Sequence, residues 1–210
     1  MISFVENCES TQKELVEAVR EGAVIPPSAL VAGAQSAGMG SRGNEWSSEP
    51  GNLYFSFCVD ESDLPSDLPT SSASIYFAFL MCEYLRERGS NLWLKWPNDF
   101  YLGEKKIGGV ITTKLKGVYI CGMGINLKFA PPNADILDIE ATPNDLVSGF
   151  CDRLEQKISW KQIFSKFLVE FEKSRIYGVH NGDEIIGLSN AALSDDGSII
   201  INGKKVYSNR

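Results

Sequence analysis

Lys95-Trp96-Pro97-Asn98-Asp99 closes the run Leu92-Trp93-Leu94-Lys95-Trp96, whose alternation predicts a β-strand with one buried face. Pro97 fixes its own φ, removes an N–H donor and pushes Trp96 towards an extended backbone, so the strand is expected to stop there. Asn98 and Asp99 supply turn chemistry. Period-2 geometry sends Lys95 to the face opposite Leu94 and Trp96. An ammonium held there on a strand is placed to meet an anion, or else serves as an edge lysine that discourages sheet-to-sheet aggregation.

Working outward, the residues that follow give two more strands. Phe100-Tyr101-Leu102 runs into a Gly103-Glu104 turn, and Lys105 to Thr113 reads as a strand with the glycine pair Gly108-Gly109, where a bulge or a ligand brings backbone close. After a turn near Lys116-Gly117, Val118 to Leu127 is a strand in which Gly122 and Gly124 fall on one face. That face is bare of side chains, so either backbone or a planar ligand is expected against it. Were these three segments adjacent, they would form a glycine floor with Lys95 at its rim.

Upstream, Ala29 to Ala34 and Leu53 to Phe57 read as strands flanking a long glycine-rich loop, Gln35 to Asn52. Gly38, Gly40 and Gly43 satisfy the spacing of a dinucleotide fingerprint, but Ser47, Ser48, Pro50 and Gly51 leave no helix to open among them, and no Gly-Lys-Ser/Thr follows. A Rossmann site and a P-loop are both disfavoured. The loop reads either as a lid whose glycines let N–H groups approach a ligand or as a flexible connection, and loops of this length inside compact domains are uncommon without a role. Thr11 with Glu14 reads as a capping box opening a helix that ends at Gly22. Further helices are expected over residues 71–89, 144–156 and 160–174, and short β pieces parted by Asn181-Gly182, Asp195-Asp196-Gly197 and Asn202-Gly203 turns fill residues 175–210.

Composition narrows the classes. The chain has 210 residues, 43% of them hydrophobic, and a net charge of −7, enough to bury a core and no basis for general nucleic-acid or membrane-surface binding. Its five cysteines are widely spaced with no C-x-x-C pair, and its single histidine, His180, has no cluster to join, which fits reduced thiols, disfavours a metal site and gives no protein metal ligand to assign. No signal pattern opens the chain and no long apolar run crosses it, so a cytoplasmic protein is expected.

Five motifs, in order, resemble biotin–protein ligases (biotin–[acetyl-CoA-carboxylase] ligases): Gln35 to Trp46, Gly51-Asn52-Leu53-Tyr54, Lys95-Trp96-Pro97-Asn98-Asp99, Lys106-Ile107-Gly108-Gly109-Val110 and Gly122-Met123-Gly124-Ile125-Asn126. The resemblance implies an α/β fold of the class II aminoacyl-tRNA synthetase type over residues 1–174, a mixed sheet flanked by helices, followed by a small SH3-like β-barrel over 175–210. It implies that biotin and ATP form biotinyl-5′-AMP and pyrophosphate, and that a lysine of the biotin carboxyl carrier protein of acetyl-CoA carboxylase is then acylated. Carried over by position, Ser10, Thr11 and Gln35 would bind the ureido head, and Gly38, Gly109, Gly122 and Gly124 would lie along biotin. Lys95 would be the catalytic group, meeting first the carboxylate and then the phosphate bridge. Arg42, Trp46, Lys106 and Asn126 would serve the nucleotide, with Mg²⁺ sharing the phosphate charge. Asn98 and Asp99 would hold the turn that aims Lys95.

Two departures stand out. Met39, Ser41 and Asn44 occupy places where the family's glycine loop commonly has arginine, leaving Arg42 as its cation, and Gln12 replaces the asparagine usual after Ser-Thr. Ser10 already lies ten residues from the start, which leaves no room for the helix-turn-helix that some of these ligases carry, so no DNA binding is expected. Membrane attachment is not expected either, and the family includes monomers and homodimers. Two further readings share parts of this logic: a lipoate–protein ligase, whose signature differs at Lys95-Asp99 and Gly122-Asn126, and a biotin binder without catalysis, to which a cation at the phosphate position offers little.

Overall fold

The computed structural model describes residues 1–181 and 184–207. Gly182 of the expected Asn181-Gly182 turn, and the side chains of Arg42 and His180, lie outside the described residues.

Seven strands make one mixed sheet: β1 (Ile2–Cys8), β2 (Ser28–Gln35), β3 (Leu53–Asp60), β4 (Trp93–Lys95), β5 (Asp99–Leu102), β6 (Lys105–Leu115) and β7 (Val118–Ile125). Their spatial order is β1-β2-β3-β7-β6-β5-β4, with β1 and β2 parallel and every other neighbour antiparallel. Strand alternation assigns the two faces. Phe55 and Phe57 of β3 and Tyr119, Cys121, Met123 and Ile125 of β7 point into the main core, while Cys58 and Ile120 meet Leu15 and Val19 of helix α1 (Thr11–Glu21) on the other side. Helices α2 (Ala73–Glu87), α3 (Pro143–Glu155) and α4 (Trp160–Glu170) cover the main core. An apolar stripe alone would suit a helix against one surface. Every residue of α2 from Ala73 to Cys82 is buried, because the helix has the sheet on one side and α3 and α4 on the other.

Three expectations are adjusted. β1 was not foreseen, since a strand at a sheet edge with most of its residues exposed has little apolar signal to offer. The cap of α1 is Ser10, not Thr11: Ser10 Oγ accepts from Lys13 N, and the Thr11 hydroxyl is taken by Gln35 and Ser56. Helix α3 begins at Pro143, one residue before the expected 144, with Thr142 and Asp145 forming its capping box.

The C-terminal segment continues through a 3₁₀ helix (Phe171–Ile176) into β8 (Gly178–Asn181), β9 (Glu184–Gly187), β10 (Ala192–Leu193), β11 (Ile199–Ile201) and β12 (Lys204–Val206). The described residues form antiparallel strands, in keeping with a small C-terminal β unit: a β8–β9 hairpin and a three-stranded β10-β11-β12 sheet. As expected for a segment too small to bury a core alone, it packs on the main one: Val179, Leu188, Ile199, Ile201 and Val206 join the same cluster. Its Asp195-Asp196-Gly197 turn is gripped from below. Trp96 Nε1 donates to Gly197 O at 2.8 Å, Trp160 Nε1 to Asp195 O at 2.7 Å, and Ser72 Oγ to Asp196 O.

Candidate active site

On the α1 face of the sheet lies a cavity of about 340 Å³. Its floor is the bare stretch of β7 and β6 that Gly122, Gly124 and Gly109 provide, and neither Gly122 nor Gly124 could carry a side chain as the site stands. A Cβ at Gly122 would meet Gln12 Oε1 at 2.8 Å, and one at Gly124 would meet the Trp46 ring at 2.7 Å. Gly122 and Gly124 are about 7 Å apart along the strand. The polar end contributed by α1 and the indole of Trp46 therefore follow one another along the floor.

The polar end is a connected network. Gln35 Oε1 accepts from Thr11 N at 2.8 Å and Thr11 Oγ1 at 3.2 Å, Ser56 Oγ donates to Thr11 Oγ1 at 2.9 Å, and Gln35 Nε2 donates to Ser48 Oγ at 3.1 Å. Gln12 Nε2 donates to Ile120 O at 3.2 Å, which turns its carbonyl oxygen inward. Gln12 is only 5% exposed, and its Oε1, like Trp46 Nε1, is buried with no protein partner. One acceptor and one donor thus face the cavity in need of a ligand's groups.

The glycine loop closes on this site as a small hairpin. Trp46 N donates to Gly38 O at 2.8 Å, Gly40 N to Asn44 O at 2.7 Å, and only the 3₁₀ turn Ser41–Gly43 interrupts it; no helix opens among the glycines. Gly38 is needed for this closure. A Cβ there would stand 2.6 Å from Trp46 O and 2.6 Å from Ser48 Oγ.

At the other end, Lys95 pairs with Asp99, Asp99 with Gly109, Gly109 with Gly124 and Gly124 with Tyr54. These five residues form one row across five strands. Lys95 shares the glycines' face, as period 2 requires, and β5 lies between β4 and β6. Three strand spacings, about 14 Å, separate Lys95 from Gly124. Lys95 is not among the residues lining the cavity; its buried ammonium stands 3.7 Å from Asp99 Oδ2 and over the rings of Tyr101 and Tyr177 at 5.4 and 5.5 Å. The ammonium that does reach the cavity is that of Lys106, 2.6 Å from Asp99 Oδ1 and 5.7 Å from the Trp46 ring centre. Asp99 is thus one carboxylate shared between two ammonium groups. Burial, then the Asp99 charge, pushes the Tyr101 phenol up to about 12, so it stays protonated.

The structure therefore brings Ser10, Thr11, Gln35, Trp46, Lys106, Gly109, Gly122, Gly124 and Asn126 to one cavity, while Lys95 and Gly38 are not among its lining residues. Asn126 is 4% exposed, its Nδ2 donating to Asp135 O at 3.1 Å. Asn98 does hold the turn, donating through Nδ2 to Val110 O while Val110 N donates to Asn98 O at 2.9 Å. Sequence reasoning missed Gln12, Ser48 and Ser56 as site residues and gave Asp99 only a turn role. The one available signal was that Asp99 follows Lys95 by four residues across a tight turn, which sets the two opposite each other.

The family model of the biotin/lipoate A/B protein ligase family matches residues 4–129, which takes in α1, the glycine loop, most of β1 and the other six strands of the main sheet. The chain belongs to the biotin/lipoate A/B protein ligase family. Among ligases of solved structure, it is similar to a biotin acetyl coenzyme A carboxylase synthetase from Helicobacter pylori with bound biotinylated ATP: 39% identity, TM-score 0.94, and 98% of each chain covered. A biotin protein ligase from Aquifex aeolicus in complex with biotin and ATP shares the fold, at TM-score 0.78 and 24% identity over 98% of this chain and 94% of that one. A curated relative, the bifunctional ligase/repressor BirA of Salmonella typhimurium, is 31% identical over 62% of this chain, a match that spans 42% of the relative. Among the described residues of this family member, no helix is long and apolar enough to cross a membrane.

Proposed function

We propose that the chain is an ATP-dependent biotin–protein ligase. The observation that carries this is the end-to-end likeness, over 98% of both chains, to the Helicobacter pylori synthetase with its bound biotinylated ATP, joined to a cavity whose unpartnered groups suit the two halves of such a ligand. The ureido head of biotin presents N–H donors, which Gln12 Oε1 accepts, and a carbonyl oxygen; Ser10, Thr11 and Gln35 surround it. The apolar ring system lies on Gly122 and Gly124, where only glycine leaves room.

The valeryl carboxylate then points towards Lys106. In the first step a carboxylate oxygen attacks the α-phosphorus of ATP, the α–β anhydride bond breaks, and pyrophosphate leaves. The Lys106 ammonium stabilises the negative charge that gathers at the phosphorus in the transition state, and the hairpin of the glycine loop keeps water from the mixed anhydride. Trp46, Asn126 and Arg42 serve the nucleotide. In the second step the amine of a carrier lysine attacks the acyl carbon, AMP departs with the anhydride electrons, and the amine proton goes to solvent or to AMP. The carrier is the biotin carboxyl carrier protein of acetyl-CoA carboxylase.

Mg²⁺ would arrive with ATP as the counter-ion of its phosphates; among the described residues no group of three His, Cys, Asp or Glu side chains could hold a metal. ATP–pyrophosphate exchange that requires biotin tests the proposal. Exchange supported by lipoate in place of biotin would move the chain to the lipoate branch of its family, and biotin binding without any exchange would make it a binder.

A further inference from the structure

Of the motif Gly51-Asn52-Leu53-Tyr54, Tyr54 lines the cavity, while Asn52 lies outside its lining and is only 4% exposed. Leu53 pairs with Ile125 at the end of the β3–β7 ladder, so Asn52 comes level with Asn126 just where β7 stops. Its side chain takes over the pairing there. Asn52 Oδ1 accepts from three successive backbone groups, Leu127 N at 2.8 Å, Lys128 N at 2.9 Å and Phe129 N at 3.1 Å, and its Nδ2 donates to Phe129 O at 2.8 Å. Successive N–H groups turned one way form a nest for an acceptor, and one side chain satisfies all three. A Cβ at Gly51, where φ is +105°, would stand 2.8 Å from Lys128 Cδ, so the two segments lie in close contact.

The segment so held, residues 127–137, runs back along the far end of the site. Pro131 and Ala134 line the cavity, and Ala134 forms a parallel bridge with Lys106. Asp135 N donates to Lys106 O at 2.9 Å, Asn126 Nδ2 to Asp135 O at 3.1 Å, and Leu137 N to Asn126 O at 2.8 Å. The segment is thus a strap, stitched at one end to Lys106 and Asn126 and at the other to Asn52.

We propose that Asn52 is a positioning residue for nucleotide binding: by fixing residues 127–129 it sets the strap, and through the strap the amide of Asn126. The inference rests on the ligase reading above, in which this end of the cavity takes ATP. The Asn126 amide donates to Asp135 O, an atom of the strap. Were residues 127–129 released, that acceptor would shift with the strap and the amide would lose its direction. The ureido end is held separately, by the bonds among Thr11, Gln35 and Ser56. Asn52 therefore acts on one substrate and not on the other, and touches neither.

The experiment compares Asn52→Ala, which removes the acceptor, with Asn52→Asp, which keeps an acceptor for the three N–H groups and gives up the bond to Phe129 O. In biotin-dependent ATP–pyrophosphate exchange, Asn52→Ala is expected to raise KM for ATP about tenfold, the scale of one or two lost hydrogen bonds, and KM for biotin less than about twofold. Asn52→Asp should stay within about threefold of the parent on both. In an Asn126→Ala background, Asn52→Ala should lose most of its effect on ATP, because the path runs through Asn126. Asn52→Ser, too short to reach the three amides, serves the same comparison if the alanine chain does not fold. An equal rise for both substrates, a loss shared by Asn52→Asp, or a full effect in the Asn126→Ala background would overturn the proposal. A readout without ligand keeps it separate from the ligase reading. In amide hydrogen exchange of the unliganded protein, Asn52→Ala should lower the protection of Asp135 and Leu137 as well as of residues 127–129, and leave residues 118–123 of β7 unchanged. Faster exchange confined to residues 127–129 would make Asn52 a local pin and sink the relay. Absence of biotin-dependent pyrophosphate exchange in the parent chain sinks the ligase reading instead and leaves the amide result standing.

Discussion

The indole of Trp46 rests on the backbone of Gly124, so closely that a Cβ at Gly124 would stand 2.7 Å from Cε2 and 2.8 Å from Nε1 of the ring. Gly124→Ala therefore forces the indole off the floor. Overpacking of this kind costs about 1–3 kcal/mol where nothing can yield, and here the cost falls on the loaded site. We expect calorimetric titration to show biotin and ATP binding weakened about tenfold or more, with the melting temperature little changed. Unaltered binding would remove Trp46 and Gly124 from the proposed site.

Lys106 supplies the cavity's ammonium. Lys106→Met keeps the length and apolar stem of the side chain and removes its charge, so the loss should appear in the chemical step. By analogy with other single groups that stabilise a developing anion, exchange should fall by about 10²–10³-fold in kcat. Lys95→Met, outside the cavity lining, should fall less. The reverse ranking would restore Lys95 as the group that meets the phosphate.

The glycine loop has Met39 and Ser41 where the family commonly has arginine. Both residues flank Gly40 in the hairpin over the cavity, so a guanidinium at either place would sit near the phosphates. Met39→Arg with Ser41→Arg should slow release of the adenylate, measured by filter binding of labelled intermediate after a chase. Equal release rates in the parent and the double variant would mean that the missing cations do not govern retention.

Asp145 closes the capping box of α3, accepting from the Thr142 hydroxyl at 2.8 Å and from Thr142 N at 3.2 Å. The Thr142 hydroxyl first, and its backbone N–H second, hold this carboxyl below the usual range. A depressed carboxylate stabilises the fold above its unfolded pKa of about 3.9, and that stability is lost as pH falls through the folded value. Asp145→Asn should thus melt lower than the parent at pH 7, the gap narrowing below about pH 3.9. A gap that stays constant with pH would assign the effect to packing.

Trp96 is fully buried and gives its indole proton to Gly197 O. Trp96→Phe leaves that carbonyl without its donor and opens space beneath the Asp195-Asp196-Gly197 turn. Denaturant titration should show a loss of about 1–3 kcal/mol. Tryptic cleavage after Lys204 and Lys205 should also quicken, since the turn carries the β11–β12 hairpin with it.

Much of this architecture was legible in the residues. β3, β6 and β7 were legible as strands, Gly22 and Gly89 marked helix ends at positive φ, and period 2 put Gly122 and Gly124 on one face of β7. The edge strand β1 was silent because most of its residues are exposed. The neighbours of Lys95 were not legible for a different reason. Periodicity gives the face of a strand but not its neighbours, and β5, four residues long, was too short to be counted as a strand in its own right. Gln12 looked like a departure from the family's pattern, and its free carbonyl became visible only once its amide was seen to donate to Ile120 O.

The row Lys95, Asp99, Gly109, Gly124 and Tyr54 draws one residue from each of five strands. Hydrogen-bond register, and not proximity along the chain, is thus the coordinate system in which the site is written. A single inserted residue in β5 or β6 would turn Asp99 or Gly109 through to the opposite surface and scatter the row, whereas lengthening the 130–142 connection would leave every member in place. Tolerance to insertion should therefore follow the pleat, abrupt inside the strands and forgiving a few residues away.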